Sequence, residues 1–291
     1  MRISLNRIHT KDGLELVGLL YEPDIATEKI LVHVHGMAGN FYENKFLDYI
    51  AKTLTDSDIA FFSFNNRGCE MEKDLTRVEN GKRSFARIGD AYERFEDCVL
   101  DIQAAVDFAE KQGYKEIHLS GHSLGGPKVA YYASKAKDSR LRSLIFISPA
   151  DMVGLAKMDS NYMRDMELAR TMVEEGKSGE LLPELIWGEN YLSANTFLDL
   201  SDESSSVNNF ALYDPKNKLE AIATITLPMV VLMGKKDSAL TVPIEDLMKR
   251  VRMAATSSKN AETEILGEAG HDYFGFEQLL ADSIKEWIQE M

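Results

Sequence analysis

The chain reads as an α/β protein: a mostly parallel eight-stranded sheet with helices on both faces and one helical insertion. Three observations lead there. Short apolar runs such as "KILVHVHG" (29–36), "IAFFSFN" (59–65) and "LPMVVLMG" (227–234) fit strands buried on both faces. Segments with helical spacing alternate with them, which implies a parallel sheet covered on both sides. One region, 151–226, lies between two such runs and shows no strand pattern of its own.

In chain order, "ISLNRI" and "LELVGLLYE" flank the turn-like "TKDG" and read as an antiparallel hairpin. "KILVHVHG" is the third strand. "ENKFLDYIAKTL" places Phe46, Ile50 and Leu54 on one helical face. "IAFFSFN" is the fourth strand. "RGCEMEKDLTRVENGKRS" (67–84) is charged and aperiodic and reads as a loop. "ERFEDCVLDIQAAVDFAEKQG" (93–113) is the clearest helix, with Phe95, Val99, Ile102 and Val106 on one side and Gly113 past its end. "EIHLSG" predicts a strand, "LGGPKVAYYASK" a helix and "RSLIFISPA" a strand. A structureless loop as long as 151–226 is improbable in a compact domain, so this region is expected to be a helical cap over one end of the sheet. Residues 1–150 and 227–291 then form the core. After "LPMVVLMG" come a helix in "PIEDLMKRVRMAA", a strand in "AETEIL" and a last helix in "FGFEQLLADSIKEWIQEM".

Composition excludes several classes of function. With 33 basic against 47 acidic side chains the net charge is −14, the wrong sign for a polyphosphate partner, so no nucleic acid is expected. The same sign disfavours an anionic membrane surface, and no run approaches the roughly 20 apolar residues of a membrane span. Cys69 and Cys98 are too few for a disulfide scaffold. No ligand-spaced His/Cys cluster exists, so neither metal nor organic cofactor is expected. The opening "MRISLNRIHTKDG" lacks the pattern of a secretory signal. The expectation is a reduced cytoplasmic protein, monomer or homodimer.

Candidate chemistry centres on "GHSLGG" (121–126). A bare G-x-S-x-G arises by chance in roughly one chain of this length in ten. Its setting between a strand and a helix is more specific, because a nucleophile on such a turn is projected at the sheet's C-terminal edge. Ser123 is the candidate nucleophile. Of six histidines only His271, in "GEAGHDYFG", lies downstream of it, as the chain order nucleophile–acid–base requires. Asp237 directly follows a sheet strand and is the candidate acid, ahead of Asp246 and Asp272. The backbone N–H groups of Leu124 and Met37 are the candidate oxyanion donors, with His35 and Gly36 in "HVHGMAGN" shaping the second site.

"HG" at 35–36, "NNRG" at 65–68, "GHSLGG" at 121–126, "GKKD" at 234–237 and "GH" at 270–271 follow one another in an order and spacing that resemble the α/β-hydrolase superfamily over nearly the whole chain. "RIGDAYERFEDCVLDI" followed by "HLSGHSLGGPKVAYY" looks like a group of uncharacterised microbial and fungal hydrolases that includes siderophore-esterase-like members. Asn65 stands where many relatives carry aspartate, a position usually structural. Arg67 is expected to tie loops together.

Region 151–226 carries six basic against fourteen acidic side chains, a field that disfavours anionic acyl groups. It is rich in methionine and aromatic residues, which can line an adaptable pocket. His35 and Gly36, together with Met163, Met166 and Trp187 of this region, are the candidate substrate contacts. The expected activity is hydrolysis of small uncharged or cationic carboxylic esters through an acyl-enzyme on Ser123. An amide or peptide hydrolase and a thioesterase use the same triad, and a ligand-sensing protein could keep the same fold.

Overall fold

The structure, a computed structural model, describes residues 1–291. The chain begins with β1 (Arg2–His9), β2 (Glu15–Glu22), β3 (Lys29–Val34), α1 (Phe46–Thr55) and β4 (Ala60–Phe64). A short hairpin follows, β5 (Lys73–Glu79) and β6 (Lys82–Ile88). Next come α2 (Cys98–Lys111), β7 (Glu116–His122), α3 (Gly125–Ala136) and β8 (Leu141–Ile147). The stretch to the next strand holds α4 (Met152–Met158), α5 (Tyr162–Glu174), α6 (Ala194–Ser201) and α7 (Glu220–Thr224). The chain closes with β9 (Met229–Met233), α8 (Ile244–Ala254), β10 (Ala261–Ile265) and α9 (Glu277–Glu290).

Eight strands form one sheet in the order β1-β2-β4-β3-β7-β8-β9-β10. β1 and β2 pair antiparallel, as do β2 and β4, and every later pairing is parallel. The central strands are buried at nearly every position, because helices cover both faces and both sets of alternating side chains meet apolar neighbours. Ile30, Val32 and Val34 of β3 face one core, which includes side chains of α2, α3 and α8. Leu31 of β3 faces the other, built with α1 and α9.

Two expectations need correction. Residues 73–88 are a two-stranded hairpin rather than a loop. Asn80 and Gly81 both have positive φ (50° and 74°), as a two-residue turn of the hairpin-favouring hand requires. That Asn-Gly pair was the available signal. The arm is hard to read because only Leu75 and Ile88 are buried on it, so its apolar alternation is faint. The helix expected from residue 93 begins later. A single 3-10 turn at Phe95–Asp97 precedes α2, and Glu93 is not helical.

Residues 151–226 add no strand to the large sheet. Asp151 pins both ends of this region. Its carboxylate accepts from Gly154 N–H at the start of α4 (3.0 Å), from Tyr213 N–H (2.6 Å) and from Thr241 Oγ1 in the loop before α8 (2.9 Å).

Candidate active site

The parallel register sets the ends of the strands along one edge. Val34 lies opposite Gly121, His122 opposite Ile147, and Ile147 opposite Leu232. The loops carrying Met37, Ser123, Ser148, Asp237 and His271 therefore emerge at the same edge.

Ser123 sits between β7 and α3 with φ 55°, a left-handed conformation that costs a non-glycine residue energy. The fold holds it there with three backbone bonds. Ser123 N–H donates to Ile147 O (3.0 Å), while its carbonyl accepts from Gly126 N–H (2.9 Å) and Ala150 N–H (3.2 Å). Glycines make the turn fit: a Cβ at 121 would lie 2.1 Å from Gly125 O, and one at 125 would lie 2.2 Å from Val34 O. Ala38, Glu70, Ser148 and Tyr273 also have positive φ, so five of the ten left-handed non-glycine residues lie in loops at this edge.

His271 and Asp237 meet directly, Nδ1 to Oδ1 at 2.7 Å. The Asp237 side chain is fully buried, and Ala239 N–H also donates to Oδ1 (2.8 Å). Burial pushes the carboxyl up, but the hydrogen bond and charge of His271 outweigh it and hold the group below its ordinary value. Burial pushes His271 down, and the bond to and charge of Asp237 reverse this, leaving it raised. With Nδ1 bound to the carboxylate, Nε2 is the nitrogen left for chemistry. Ser123 is partly buried, and its hydroxyl makes no hydrogen bond within the protein. Such contacts often tighten only when substrate is bound.

The loop after β3 closes against Ser123, and a Cβ at Gly36 would stand 2.7 Å from Ser123 Cβ. Neither Met37 N–H nor Leu124 N–H donates a hydrogen bond within the protein, so both backbone dipoles at this corner are unspent. Unspent donors fixed by rigid neighbours are what a developing oxyanion needs.

His35 behaves differently from the expectation that it contacts substrate. It is 1% exposed, and both ring nitrogens are used. Asn66 N–H donates to Nε2 (3.0 Å), and Nδ1–H donates to Gly36 O (2.8 Å). Burial depresses its pKa to about 3, so the ring is neutral and braces the loop. Arg67 is buried against Asp101 (2.8 Å), Asp97 (3.0 Å) and Asp12 (3.2 Å), joining three segments behind the site. Of the three candidate contacts in 151–226, Met163 is 73% exposed and Met166 is packed in the core. Trp187 is half-buried, with its ring 6.5 Å from that of Phe197. None of the three touches Ser123 or His271 through a hydrogen bond or ring contact.

Three supporting residues escaped the sequence reading. His122 Nε2–H donates to His271 O (3.0 Å) and its ring lies 4.7 Å from that of His271, which sets the height of the His271 loop. Ser148 Oγ is 2.7 Å from Tyr273 OH, which donates to Leu232 O (3.0 Å), while the second carboxylate oxygen of Asp237 is buried without a hydrogen-bond partner. The adjacency of His122 to Ser123 was visible, but its partner lies 149 residues away.

The comparisons agree with this architecture. A family model described as the alpha/beta hydrolase fold matches residues 29–185. Est1E from Butyrivibrio proteoclasticus, solved with ferulic acid bound, superposes with a TM-score of 0.65 at 22% identity, covering 97% of this chain and 98% of that one. GrgF, an alpha/beta hydrolase from Penicillium sp. sh18, gives a TM-score of 0.70 at 19% identity, covering 100% and 99%. The Pyrococcus furiosus esterase Pf2001 gives 0.63 at 16% identity, covering 99% and 91%. No curated protein sequence matches. A matched family model over more than half of the chain, on the sheet that carries this corner, places the protein in the α/β-hydrolase fold family.

Proposed function

We propose that the protein is a serine hydrolase of small carboxylic esters. The observation that carries the reading is the left-handed Ser123 at the β7–α3 turn, set against Gly36 and flanked by the unspent N–H groups of Met37 and Leu124. The bonded His271–Asp237 pair on the same edge supplies the base and its orienting acid.

In this mechanism Ser123 Oγ attacks the ester carbonyl carbon and its proton passes to His271 Nε2. Asp237 holds the ring in the required tautomer and stabilises the imidazolium. The carbonyl oxygen, now an anion, accepts from Met37 N–H and Leu124 N–H. Collapse of the tetrahedral intermediate returns the proton to the departing alcohol and leaves an acyl group on Ser123. Water, deprotonated by His271, then releases the acid. The ester assignment is an analogy with two proteins of the same fold, Est1E solved with ferulic acid and the esterase Pf2001, since the fold itself also serves amide and thioester chemistry. The acidic 151–226 region favours uncharged or cationic acyl groups.

A fluorophosphonate probe with an ester, amide and thioester panel tests the reading. Labelling of wild type but not Ser123→Ala, with ester turnover fastest, is the expected result. Labelling without turnover of any substrate would make the protein a ligand sensor. Faster thioester or amide turnover would replace the ester assignment.

A further inference from the structure

Lys128 is the one lysine of the chain whose side chain is buried. It lies on α3, five residues after Ser123. Its ammonium group meets Glu93 Oε2 at 2.7 Å, and both side chains are 1% exposed. Glu93 is itself fixed from two sides. Its N–H donates to Gly89 O (3.0 Å), and its carbonyl accepts from Thr196 Oγ1 near the start of α6 (3.2 Å). Asp90 adjoins the pair, with both carboxylate oxygens enclosed and unpartnered. Burial, and then the charge of Glu93, raise the Asp90 pKa well above its ordinary value, which leaves Glu93 as the charged partner of Lys128.

Burying such a pair adds little stability, because the lost hydration offsets the attraction. What it provides is a fixed point, and that point reaches both halves of the oxyanion corner. On one side, Lys128 N–H donates to Leu124 O (3.2 Å), one helical turn back toward Ser123. On the other, Lys128 Nζ donates to Asn66 Oδ1 (3.4 Å), which also accepts from Gly68 N–H (2.9 Å). Asn66 Nδ2–H in turn donates to His35 O (3.2 Å), and Asn66 N–H donates to His35 Nε2 (3.0 Å). His35 Nδ1–H holds Gly36 O (2.8 Å), next to Met37. Two donors on different segments, Leu124 and Met37, are thereby tied to one buried side chain. Its charge works in the same sense. After burial, Lys128 is the largest influence that keeps His35 neutral. A protonated ring would turn Nε2 into a donor facing the Asn66 N–H and break that strut.

We propose that Lys128, anchored by Glu93, is a positioning residue that sets the spacing of the Met37 and Leu124 N–H groups. The role rests on the serine-hydrolase reading. Lys128 touches no substrate. It acts through two backbone dipoles, whose value to the reaction depends on their being fixed before charge develops.

Lys128→Met/Glu93→Met tests it, because uncharged side chains of similar length replace the whole pair, a change that buried ion pairs tolerate. Kinetics are measured on the ester that wild type hydrolyses fastest, beside a melting temperature. The double variant should melt close to wild type. Its KM should change less than about twofold while kcat falls about tenfold or more, the pattern of a contact that matters only in the transition state. Fluorophosphonate labelling should slow in step, and the acidic limb set by His271 should stay in place. If the methionine pair does not fold, Lys128→Gln/Glu93→Gln carries the same test, since Gln is polar but too short at 128 to reach Asn66. A folded double variant with wild-type kcat would overturn the role. So would a kcat loss accompanied by a raised KM or a displaced acidic limb, which marks general disruption of the site. Absence of turnover by wild type would remove the hydrolase reading and this role with it, whereas equal turnover by wild type and variant removes the role alone.

Discussion

At the residue scale the candidate site depends on a few atoms. Ser123→Ala should remove turnover and leave roughly 10³ to 10⁴-fold acceleration over water, measured as kcat on the best ester. Near-native kcat in that variant would dismiss the nucleophile. The raised pKa of His271 gives a signed pH prediction. His271 must be neutral to accept a proton, so activity should fall as pH drops through a value above the ordinary histidine pKa of about 6.5. Asp237→Asn removes the group that raises it. The acidic limb of kcat/KM should then move to lower pH while kcat drops by about 10⁴. A limb that stays in place would mean that another group sets it.

At the element scale, the loop after β3 and the 151–226 region make separate demands. A methyl at Gly36 would press on Ser123 Cβ and come within 3.1 Å of His122 O. Gly36→Ala should therefore cost about 10²-fold in kcat, with little change in melting temperature, since the displacement falls on the reacting corner. An equal loss of stability and activity would point to general disruption. In 151–226, Met166→Ala removes a core side chain and should cost about 2–5 kcal/mol, read by urea unfolding. Met163→Ala, at an exposed position, should change stability by less than about 0.5 kcal/mol. If the region caps the candidate site, as its sequence leads one to expect, Trp187→Ala should reorder kcat/KM across acyl chain lengths. Unchanged ratios in the folded variant would remove the region from substrate selection.

At the scale of the whole molecule, the buried histidines govern the response to acid. Burial holds His33, His35, His118 and His122 at about 3. Their unfolded value is about 6.5, so below that pH the unfolded chain binds protons that the native state refuses. Each histidine then removes about 0.7 kcal/mol of stability per pH unit near pH 6.5, rising to about 1.4 per unit below about pH 5.5. Asp90, Glu93 and Asp101, raised chiefly by burial, oppose this over part of the range. A difference measurement isolates one group. His118→Leu should flatten the slope of unfolding free energy between pH 6.5 and 5 by about 1.1 kcal/mol per unit relative to wild type. Equal slopes would show that His118 titrates normally in the fold.

Local pattern alone determined the order of the large sheet's strands, because fully apolar runs such as "KILVHV" and "MVVLM" can bury both faces only inside a covered parallel sheet. It also determined where Ser123 lies in that order, since G-x-S-x-G between a strand and a helix constrains a turn of a few residues. The His271–Asp237 bond was legible only as chain order, and its 2.7 Å geometry needed β9 and β10 side by side. Tertiary structure decided the rest. His35 looked like a substrate contact until Asn66, 31 residues away, occupied its free nitrogen. Met163 and Met166 are three residues apart on α5, yet one faces solvent and the other the core. Spacing along a chain reports which neighbours share a face, whereas long-range packing chooses what that face meets.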